Sequence, residues 1–451
     1  MRHSKALILL IAGAFTLAAA ARATEPITVS VGRVQGLNLR IYGFVETDFI
    51  SDSTEPPFTE EPGNYLLPAR TTFGGAAPNY AGRHGRAMMS IRNSRLGFEL
   101  NTPQTDGGLR SQGVIELDMM GNDAPNTLPG STPGAQSERD FFDNPALRVR
   151  HAFVSLTYEG WNAKIGQTWS LLGWQPYYFP GENAVLSTPA TLYRRFPQAR
   201  VTNTLDFSGA WTLESAADIA RPPSMNSRAP EYHAGLRLAS TKRVGASSNG
   251  AATNMVGLSA AVSAAVIPIQ TSLGNPTGGA VAFDWLVPLI ASSGGADRSN
   301  NLVWAGELAS GSGMGGLEYT GLTSGVAAPT AAQAGTALDS GMAGINNSGG
   351  ISLIRYRLFR THLQYFLPGG KWAVGAGYAQ AETRNLADFT TANAGAFLAT
   401  KIQYGYANLF YDPRPWLRFG GEFSRTRDTY TDAANRFAAN NRVQVSAFFI
   451  F

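Results

Sequence analysis

Hydrophobic and polar side chains alternate with a period of two along much of the chain, which is the pattern of β-strands that lie between two environments. The segment at the carboxyl end, 442–451, reads RVQVSAFFIF. Val443 and Val445 fall on one side of this predicted strand, and Arg442 and Gln444 fall on the other. One face therefore suits an apolar environment, whereas the opposite face suits water.

A second alternating segment, 37–50, lies near the amino end, where Ile41 and Val45 alternate with Arg40 and Glu46. The terminal strand has no later segment to cover its edge, so it must pair with an earlier strand. We expect it to pair with segment 37–50, which would close the sheet into a barrel. An alternating strand that ends in an aromatic residue also resembles the carboxyl-terminal signal of bacterial outer-membrane proteins.

Short turn sequences are bracketed by aromatic residues at four places along the chain. The pairs are Tyr158 and Trp161, Phe207 and Trp211, Phe366 and Trp372, and Tyr411 and Trp416. Membrane barrels place such amphipathic rings at the membrane–water interface beside their short turns, whereas a soluble sandwich has no reason to do so. The pattern therefore favours a membrane barrel.

Long polar connections alternate with these short turns. They span 51–87, 121–145, 170–197, 310–350, 382–399 and 426–441. Segment 255–269 reads as a strand and not as a membrane helix, because Gly, Ser and Pro interrupt it. Placing strands between these connections predicts an all-β fold, a transmembrane antiparallel β-barrel of about 16 strands with short periplasmic turns and long extracellular loops.

Residues 1–23 are predicted to form a signal peptide that directs export to the cell outer membrane. Basic residues start this segment, an apolar stretch follows, and small residues precede Thr24. The apolar stretch is shorter than a spanning helix requires, which disfavours an uncleaved anchor. We expect a short amino-terminal segment at 24–36 and the barrel at 37–451.

Charge and cysteine content narrow the function classes. The chain holds 36 Lys and Arg residues against 32 Asp and Glu residues, and removal of the signal peptide would leave 33 against 32. A balance this even gives no support for a nucleic-acid partner. The chain has no cysteine, so the backbone hydrogen bonds of a barrel would have to hold it together without disulfides.

Basic side chains, such as Arg148 and Arg150, recur on the polar face of consecutive predicted strands. A cation that faces lipid near the membrane centre costs roughly 2 to 4 kcal/mol, so these groups must face an aqueous interior. There they could guide anions, or they could form a mixed charge ladder with Glu99, Glu116 and Asp118 that only orients water. The residues expected to line the pore and to bind solute are Arg95, Arg110, Arg148, Arg150, Lys164, Arg194, Arg195 and Arg200.

Segment 171–196 is too aromatic for an ordinary solvated loop. Either it folds into the lumen and narrows it, or it packs against a neighbouring subunit. In the first case, Arg194 and Arg195 would stand near the narrowing.

Four stretches between residues 92 and 200 carry a more specific pattern. They are SRLGFELNTP at 94–103, IELDMMG at 115–121, LRVRHAF at 147–153 and IGQTWSLLG at 165–173. Together they resemble the DcaP-like family of trimeric outer-membrane porins, whose members pass small organic anions such as dicarboxylates. The resemblance implies that Arg95, Arg148 and Arg150 correspond in kind to pore-lining arginines.

The same resemblance implies a homotrimer in outer-membrane lipid. Part of the family carries an amino-terminal coiled-coil extension. Segment 24–36 is too short for such an extension and contains no heptads. Contacts between barrel walls would then have to hold the trimer.

Enzyme signatures are weak. The run 311–316 matches G-x-G-x-x-G, but it opens a loop of small residues instead of a helix. The histidines have no metal-ligand spacing. The sequence thus predicts a passive porin for small, anionic, carboxylate-bearing solutes, with no cofactor and no metal. An outer-membrane enzyme of the protease or lipase type and a secreted structural β-protein are the alternatives.

Overall fold

The computed structural model describes residues 27–31, 34–54, 85–105, 107–121, 145–181, 183, 189–221, 229–270, 274–294, 297–315, 342–389, 399–430 and 437–451. The predicted signal peptide, 1–23, lies outside these residues and stays an expectation. Within them, no helix is long and apolar enough to cross a bilayer.

The described residues form twenty strands and one short 3-10 helix, Leu386–Phe389. The strands are β1 Ile27–Val31, β2 Val34–Asp52, β3 Arg86–Ser90, β4 Arg95–Asn101, β5 Arg110–Gly121, β6 Ala146–Tyr158, β7 Trp161–Trp169, β8 Arg195–Phe207, β9 Trp211–Ala220, β10 Glu231–Asn249, β11 Ala252–Pro268, β12 Thr277–Ile290, β13 Asn301–Ser312, β14 Ala343–Ile345, β15 Ile351–Leu353, β16 Arg355–Phe366, β17 Trp372–Thr383, β18 Ala399–Arg414, β19 Leu417–Tyr430 and β20 Phe437–Ile450.

The sheet closes as an antiparallel barrel of 16 strands. The two short strands β3 and β4 both pair with β2 and together form one barrel strand, whereas β14 and β15 form a separate hairpin. The closing pair is β2 with β20, which runs from Phe44 opposite Ile450 to Asp52 opposite Arg442. The predicted fold class and the predicted pairing of the first barrel strand with the last are confirmed.

The segment before the barrel contributes a strand that the sequence pattern did not predict. Strand β1 pairs with β2 around Leu37 and Leu39, on the edge where β20 ends. Phe451 exchanges two backbone hydrogen bonds with Gly43, with N–O distances of 3.0 and 3.1 Å. Strand β1 therefore continues the pairing along β2 beyond the position of Phe451.

Alternation places apolar side chains outside the barrel and polar side chains inside it, as the sequence pattern predicts. Outward-facing Leu147 and Ile165 are 66% and 69% exposed, whereas inward-facing Asp48 and Asp118 are 0% and 1% exposed. A soluble protein would show the opposite arrangement. The outer surface therefore suits lipid, and the lumen holds the polar groups.

The connection between β7 and β8 is here called the inner loop, and its described residues, 170–181, 183 and 189–194, fold into the lumen. Its Leu171, Trp174 and Tyr178 pack on the inner wall formed by β9, β11, β12 and β13. The wall residues in this contact are Ala216, Ala261, Leu286, Val303 and Ala305. The sequence left two alternatives for this segment, folding into the lumen or packing against a neighbouring subunit. In the structure it folds into the lumen.

Segments from the long-loop end of the barrel pack on the inner loop. Met314, Met342 and Phe389 share one buried apolar cluster with Leu172 and Leu192 of the inner loop. The inner loop is therefore held between the barrel wall and these connections.

Deletion of Phe451 should reduce barrel assembly. The two backbone hydrogen bonds to Gly43 would be lost, each worth about 1 kcal/mol. The folded fraction in outer membranes, measured by heat-modifiable gel migration, should fall. Phe451→Ala keeps both backbone bonds and should assemble better than the deletion. Normal accumulation of the shortened chain as a folded barrel would contradict this role of the closing pair.

Candidate functional site

Two cavities in the lumen, both lined by described residues, meet at the inner loop. The first, here called the arginine cavity, has a volume of about 520 Å³ and is lined by Arg95 and Arg150. The second, here called the lysine cavity, has a volume of about 500 Å³ and is lined by Lys164, Arg110 and Arg200. The residues that line both cavities are Trp169, Pro176 and Tyr177.

Hydrogen bonds tie the inner loop to the wall beside it. The Trp174 indole Nε1 donates to the carbonyl of Val262 at 3.0 Å, and the Gly173 backbone N–H donates to Ser263 Oγ at 2.8 Å. Gly235 permits this close contact, because a Cβ there would lie only 2.7 Å from Trp174 Nε1. The loop therefore lies directly on the inner surface of the barrel.

The tip of the inner loop reaches the opposite wall. The Asn183 backbone N–H donates to Glu422 Oε2 at 2.7 Å, and the Asn183 carbonyl accepts from Gln444 Nε2 at 2.8 Å. The Gly181 carbonyl accepts from Asn408 Nδ2 at 2.7 Å. Because these three partners belong to β19, β20 and β18, the loop spans the lumen and narrows it.

Arg148 and Arg150, two of the predicted pore residues, form an ion-pair network with β5. Arg148 binds Asp118 through two hydrogen bonds of 3.0 and 2.6 Å. Arg150 donates to Glu116 Oε1 at 2.6 Å and to Asp118 Oδ2 at 2.9 Å. Two carboxylates therefore compensate these two guanidinium groups.

A β-bulge turns two consecutive residues of β6 into the lumen. Glu116 pairs with His151 and Leu117 pairs with Val149, so Arg150 is the extra residue between them. Both Arg150 and His151 line the arginine cavity. Simple alternation predicts that Arg150 lies inside, but it does not predict His151 there.

Arg95 and Arg195 lack such compensation. Across the ranges that the structure describes, neither guanidinium forms an ion pair with a carboxylate. Arg95 Nη2 donates to Asn93 Oδ1 at 3.4 Å, and Arg195 Nη1 donates to the Tyr193 hydroxyl at 3.3 Å. The Arg195 guanidinium also lies 4.6 Å from the centroid of the Trp169 ring. Two positive charges therefore stand beside the inner loop without a direct ion pair, although the Asp118 carboxylate is near enough to act on both electrostatically.

Lys164, Arg110 and Arg200 belong to the lysine cavity and form a separate group. Arg200 Nε donates to Asp218 Oδ2 at 3.2 Å, so its charge is compensated. Arg110 is exposed near a short turn and donates to Gln104 Oε1 at 3.0 Å. The structure thus places two of the eight predicted basic residues in the arginine cavity and three in the lysine cavity, whereas Arg148, Arg194 and Arg195 line neither.

Arg194 is buried and lines neither of the two cavities. Its Nη1 donates to Glu231 Oε1 at 2.7 Å, and its backbone N–H donates to Gln175 Oε1 at 2.9 Å. The first bond attaches the end of the inner loop to β10, and the second joins the two ends of the loop to each other. The geometry gives Arg194 a structural contact, whereas the adjacent Arg195 lies against the aromatic residues of the narrowing.

Aromatic rings surround the arginines. The sequence alone does not show which of these rings line the pore. The Trp169 ring centroid lies 4.9 Å from those of both Phe179 and Tyr193. The Arg237 guanidinium lies 4.0 Å from the centroid of the Tyr177 ring. The aromatic content of segment 171–196 was the available signal, but it did not specify which rings face the arginines.

Tyr193 belongs to the inner loop, outside the strands. Burial raises the pKa of its phenol, but nearby positive charges lower this pKa more strongly, to about 7. The charges come from Arg195, Arg150, Arg95 and Arg148. Above this pH the phenolate adds a negative charge among the arginines.

The described residues contain no group of three or more His, Cys, Asp or Glu side chains that could hold a metal ion. His233 is buried between two carboxylates, with Nδ1 at 2.7 Å from Asp218 Oδ1 and Nε2 at 3.2 Å from Glu231 Oε2. Arg200 and Arg194 also bind these two carboxylates. His233 is therefore part of a polar network in the wall.

A closed antiparallel barrel with an apolar exterior, a polar lumen and a loop folded into that lumen is the fold of outer-membrane porins. This fold confirms the predicted location in the outer membrane. The candidate functional site is the narrowing at the inner loop, where the arginines and aromatic rings lie together.

Comparisons with known proteins agree with this class. The chain is similar in structure to the outer membrane channel DcaP of Acinetobacter baumannii, with 18% identity and a TM-score of 0.61 over 92% of this chain and 97% of that chain. This match confirms, for the fold, the resemblance seen in the four sequence stretches. No family model and no curated protein matches the sequence.

Two further solved structures share the fold with this chain. The trimer form of OmpT of Vibrio cholerae is 11% identical, with a TM-score of 0.50 over 92% of this chain and 99% of that chain. An anion-selective porin from Comamonas acidovorans is 12% identical, with a TM-score of 0.50 over 92% of this chain and 100% of that chain. Similarity at this level establishes the fold alone.

Release of the loop tip should widen the pore. The double variant Glu422→Ala/Gln444→Ala removes two side chains that hold Asn183, each loss costing about 1 to 3 kcal/mol. Single-channel conductance in planar bilayers should rise and become noisier. The control Asn162→Ala/Thr204→Ala removes lumenal side chains of the lysine cavity and should leave the conductance noise unchanged. Wild-type conductance in a correctly folded Glu422→Ala/Gln444→Ala channel would disprove this function of the anchor.

The permeability to anions relative to cations should fall as the pH rises from about 6 to about 8, because the Tyr193 phenol, with its pKa of about 7, becomes an anion over that range. Reversal potentials in a salt gradient measure this ratio. Tyr193→Phe keeps the ring but cannot ionise, so its ratio should stay nearly constant. An identical pH dependence in the variant would assign the effect to another group.

Proposed function

We propose that the protein is a passive outer-membrane channel for small anionic solutes that carry carboxylate groups. The observation that carries this proposal concerns Arg95, which lines the arginine cavity, and Arg195, which lies against the Trp169 and Tyr193 rings beside it. Among the described residues, neither guanidinium forms an ion pair with a carboxylate. A guanidinium group can hold a carboxylate through two parallel hydrogen bonds. A passing solute can supply the carboxylate that the protein does not.

The inner loop strengthens the effect of these two charges. Its apolar and aromatic side chains replace water on one side of the passage, so the electric field of the arginines is less screened there than in open solvent. Dissolved salt weakens this field over a Debye length of about 8 to 10 Å. We therefore expect a preference for anions that is largest at low salt.

Arg148 and Arg150 have a different place in the proposal, because Asp118 and Glu116 already compensate their charges. For these residues the mixed charge ladder considered from the sequence applies. The Arg148 side chain is 32% exposed, so a solute can still approach it, whereas the Arg150 side chain is 2% exposed. Lys164 would provide a further positive charge along the path, in the lysine cavity.

The proposal includes a homotrimer and a signal peptide that is cleaved before Thr24. Similar structures include a trimer form and a porin described as anion-selective, which supports the trimer and the choice of anions. Chemical cross-linking of the protein in membranes would report the oligomeric state. The mass of the mature protein would report the cleavage site.

The double variant Arg95→Gln/Arg195→Gln should lose most of the anion preference. It removes these two guanidinium groups and leaves the ion pairs of Arg148 and Arg150 intact. The anion-to-cation permeability ratio, obtained from reversal potentials at low salt, should fall several-fold. Block of the current by a simple dicarboxylate such as succinate should weaken in parallel.

A matched control is Lys242→Gln/Lys371→Gln, which removes two exposed cations near the short turns that line neither of the two cavities. Its permeability ratio should stay close to that of the wild type. The pair Arg148 and Arg150 is a less direct target, because its removal would leave Asp118 and Glu116 without their partners. An unchanged ratio in a folded Arg95→Gln/Arg195→Gln channel would refute the proposed selectivity.

A further inference from the structure

A cluster of cations lies on the outside of the barrel, near the long-loop end of β16, β18 and β19. Neighbouring side chains along these strands, such as Tyr356 and Thr426, are buried, so the cations point away from the lumen. This cluster, here called the outer basic patch, consists of Arg355, Arg357, Lys401, Arg425 and Arg427.

The outer basic patch carries a net positive charge. In the part of the chain that the structure describes, none of its members forms an ion pair with a carboxylate. Arg425 donates to Asn441 Oδ1 at 3.0 Å, and Arg427 lies 3.9 Å from the centroid of the Phe437 ring. Glu382, an acidic neighbour on the same face, pairs instead with Arg384 at 3.3 Å.

The strand register places the patch at the border of the apolar outer surface. Arg357, Glu382 and Lys401 lie side by side across β16, β17 and β18. Farther from the long-loop end, the same strands and β20 present an outward row that is apolar. This row consists of Leu363, Ala376, Ala407, Phe423 and Val443.

Among the residues that the structure describes, the long-loop ends of four strands in other sectors of the barrel lack this basic character. At the long-loop ends of β6, β9, β10 and β11, the outward side chains are exposed and apolar or aromatic. They are Leu147, Ile219, Tyr232 and Val266. If every strand needed a cation at this level of the membrane, cations would also lie at the long-loop ends of β6, β9, β10 and β11.

We infer that the outer basic patch binds phosphorylated lipid of the outer leaflet. Long loops mark the extracellular end of such barrels, so the patch lies at the level of the outer head groups. Arginine side chains match phosphate oxygens through paired hydrogen bonds, and clustered basic residues attract anionic head groups. The apolar row beside the patch would contact the acyl chains of the same lipid.

The contact of this patch with a second copy of the barrel would require acidic residues on the facing wall. The observed charge instead matches a ligand that carries several negative groups close together. A lipid with two phosphates on one head group has this property. The inference concerns the outer wall and is independent of the solute that passes through the lumen.

The test uses the purified barrel in detergent with lipid A that carries two phosphates. The temperature of unfolding, followed by heat-modifiable migration, should rise by about 3 °C or more for the wild type. The same lipid without its phosphates should cause no comparable rise. Equal stabilisation by both lipids would overturn the inference, and this comparison requires no variant.

The variant Arg357→Gln/Lys401→Gln should lose most of the stabilisation by phosphorylated lipid. The matched control Lys371→Gln/Arg414→Gln removes two exposed cations at the short-turn end of the barrel, one in the turn after β16 and one at the end of β18, and should keep the stabilisation. Equal stabilisation of both variants would overturn the inference.

Two further measurements distinguish other ligands of the patch. Inorganic phosphate in large excess should not raise the temperature of unfolding as much as the lipid does, because the lipid also contacts the apolar row. An equal rise would show that the patch binds free anions instead of lipid. Cross-linking of Arg357→Gln/Lys401→Gln should give the wild-type oligomer. Loss of the oligomer would assign the patch to a subunit contact.

Discussion

The structure depends on closure of the sheet. In the hydrocarbon of a membrane, an unpaired backbone N–H or C=O has no water to bind, so every strand needs a neighbour on both sides. The pairing of β2 with β20 meets this need and joins segments that lie about four hundred residues apart. Strand β1 extends the same pairing where β20 ends. Closure also fixes which side of each strand faces the lumen.

A polar lumen must be organised, because buried charges are costly without partners. Most lumenal charges here have them: Arg150 binds Glu116 and Asp118, and Arg442 binds Asp52. Arg95 and Arg195, beside the inner loop, differ from these charges because neither forms a direct ion pair among the described residues. Ion-paired charges lie in the wall, whereas guanidinium groups without a direct ion pair lie where the passage is narrow.

The sequence predicted the barrel well, because alternation, aromatic turns and the terminal strand are local patterns. It could not decide where the inner loop lies, since the contact of Asn183 with Glu422 joins residues 239 positions apart. Nor could it distinguish Arg194 from Arg195, which are adjacent in the chain. The first binds Glu231 in the wall, and the second contacts Tyr193 and Trp169. Such differences arise only when distant strands come together.

The crossing of the lumen by the inner loop links the size of the pore to the strength of the barrel. The loop joins β10 and β11 to β18, β19 and β20 through the lumen, so it resists deformation of the cross-section. A change that frees it would make the passage larger and the protein easier to unfold at the same time. Exchange of single side chains on the loop can therefore alter the passage with less loss of stability than a change in the path of the loop.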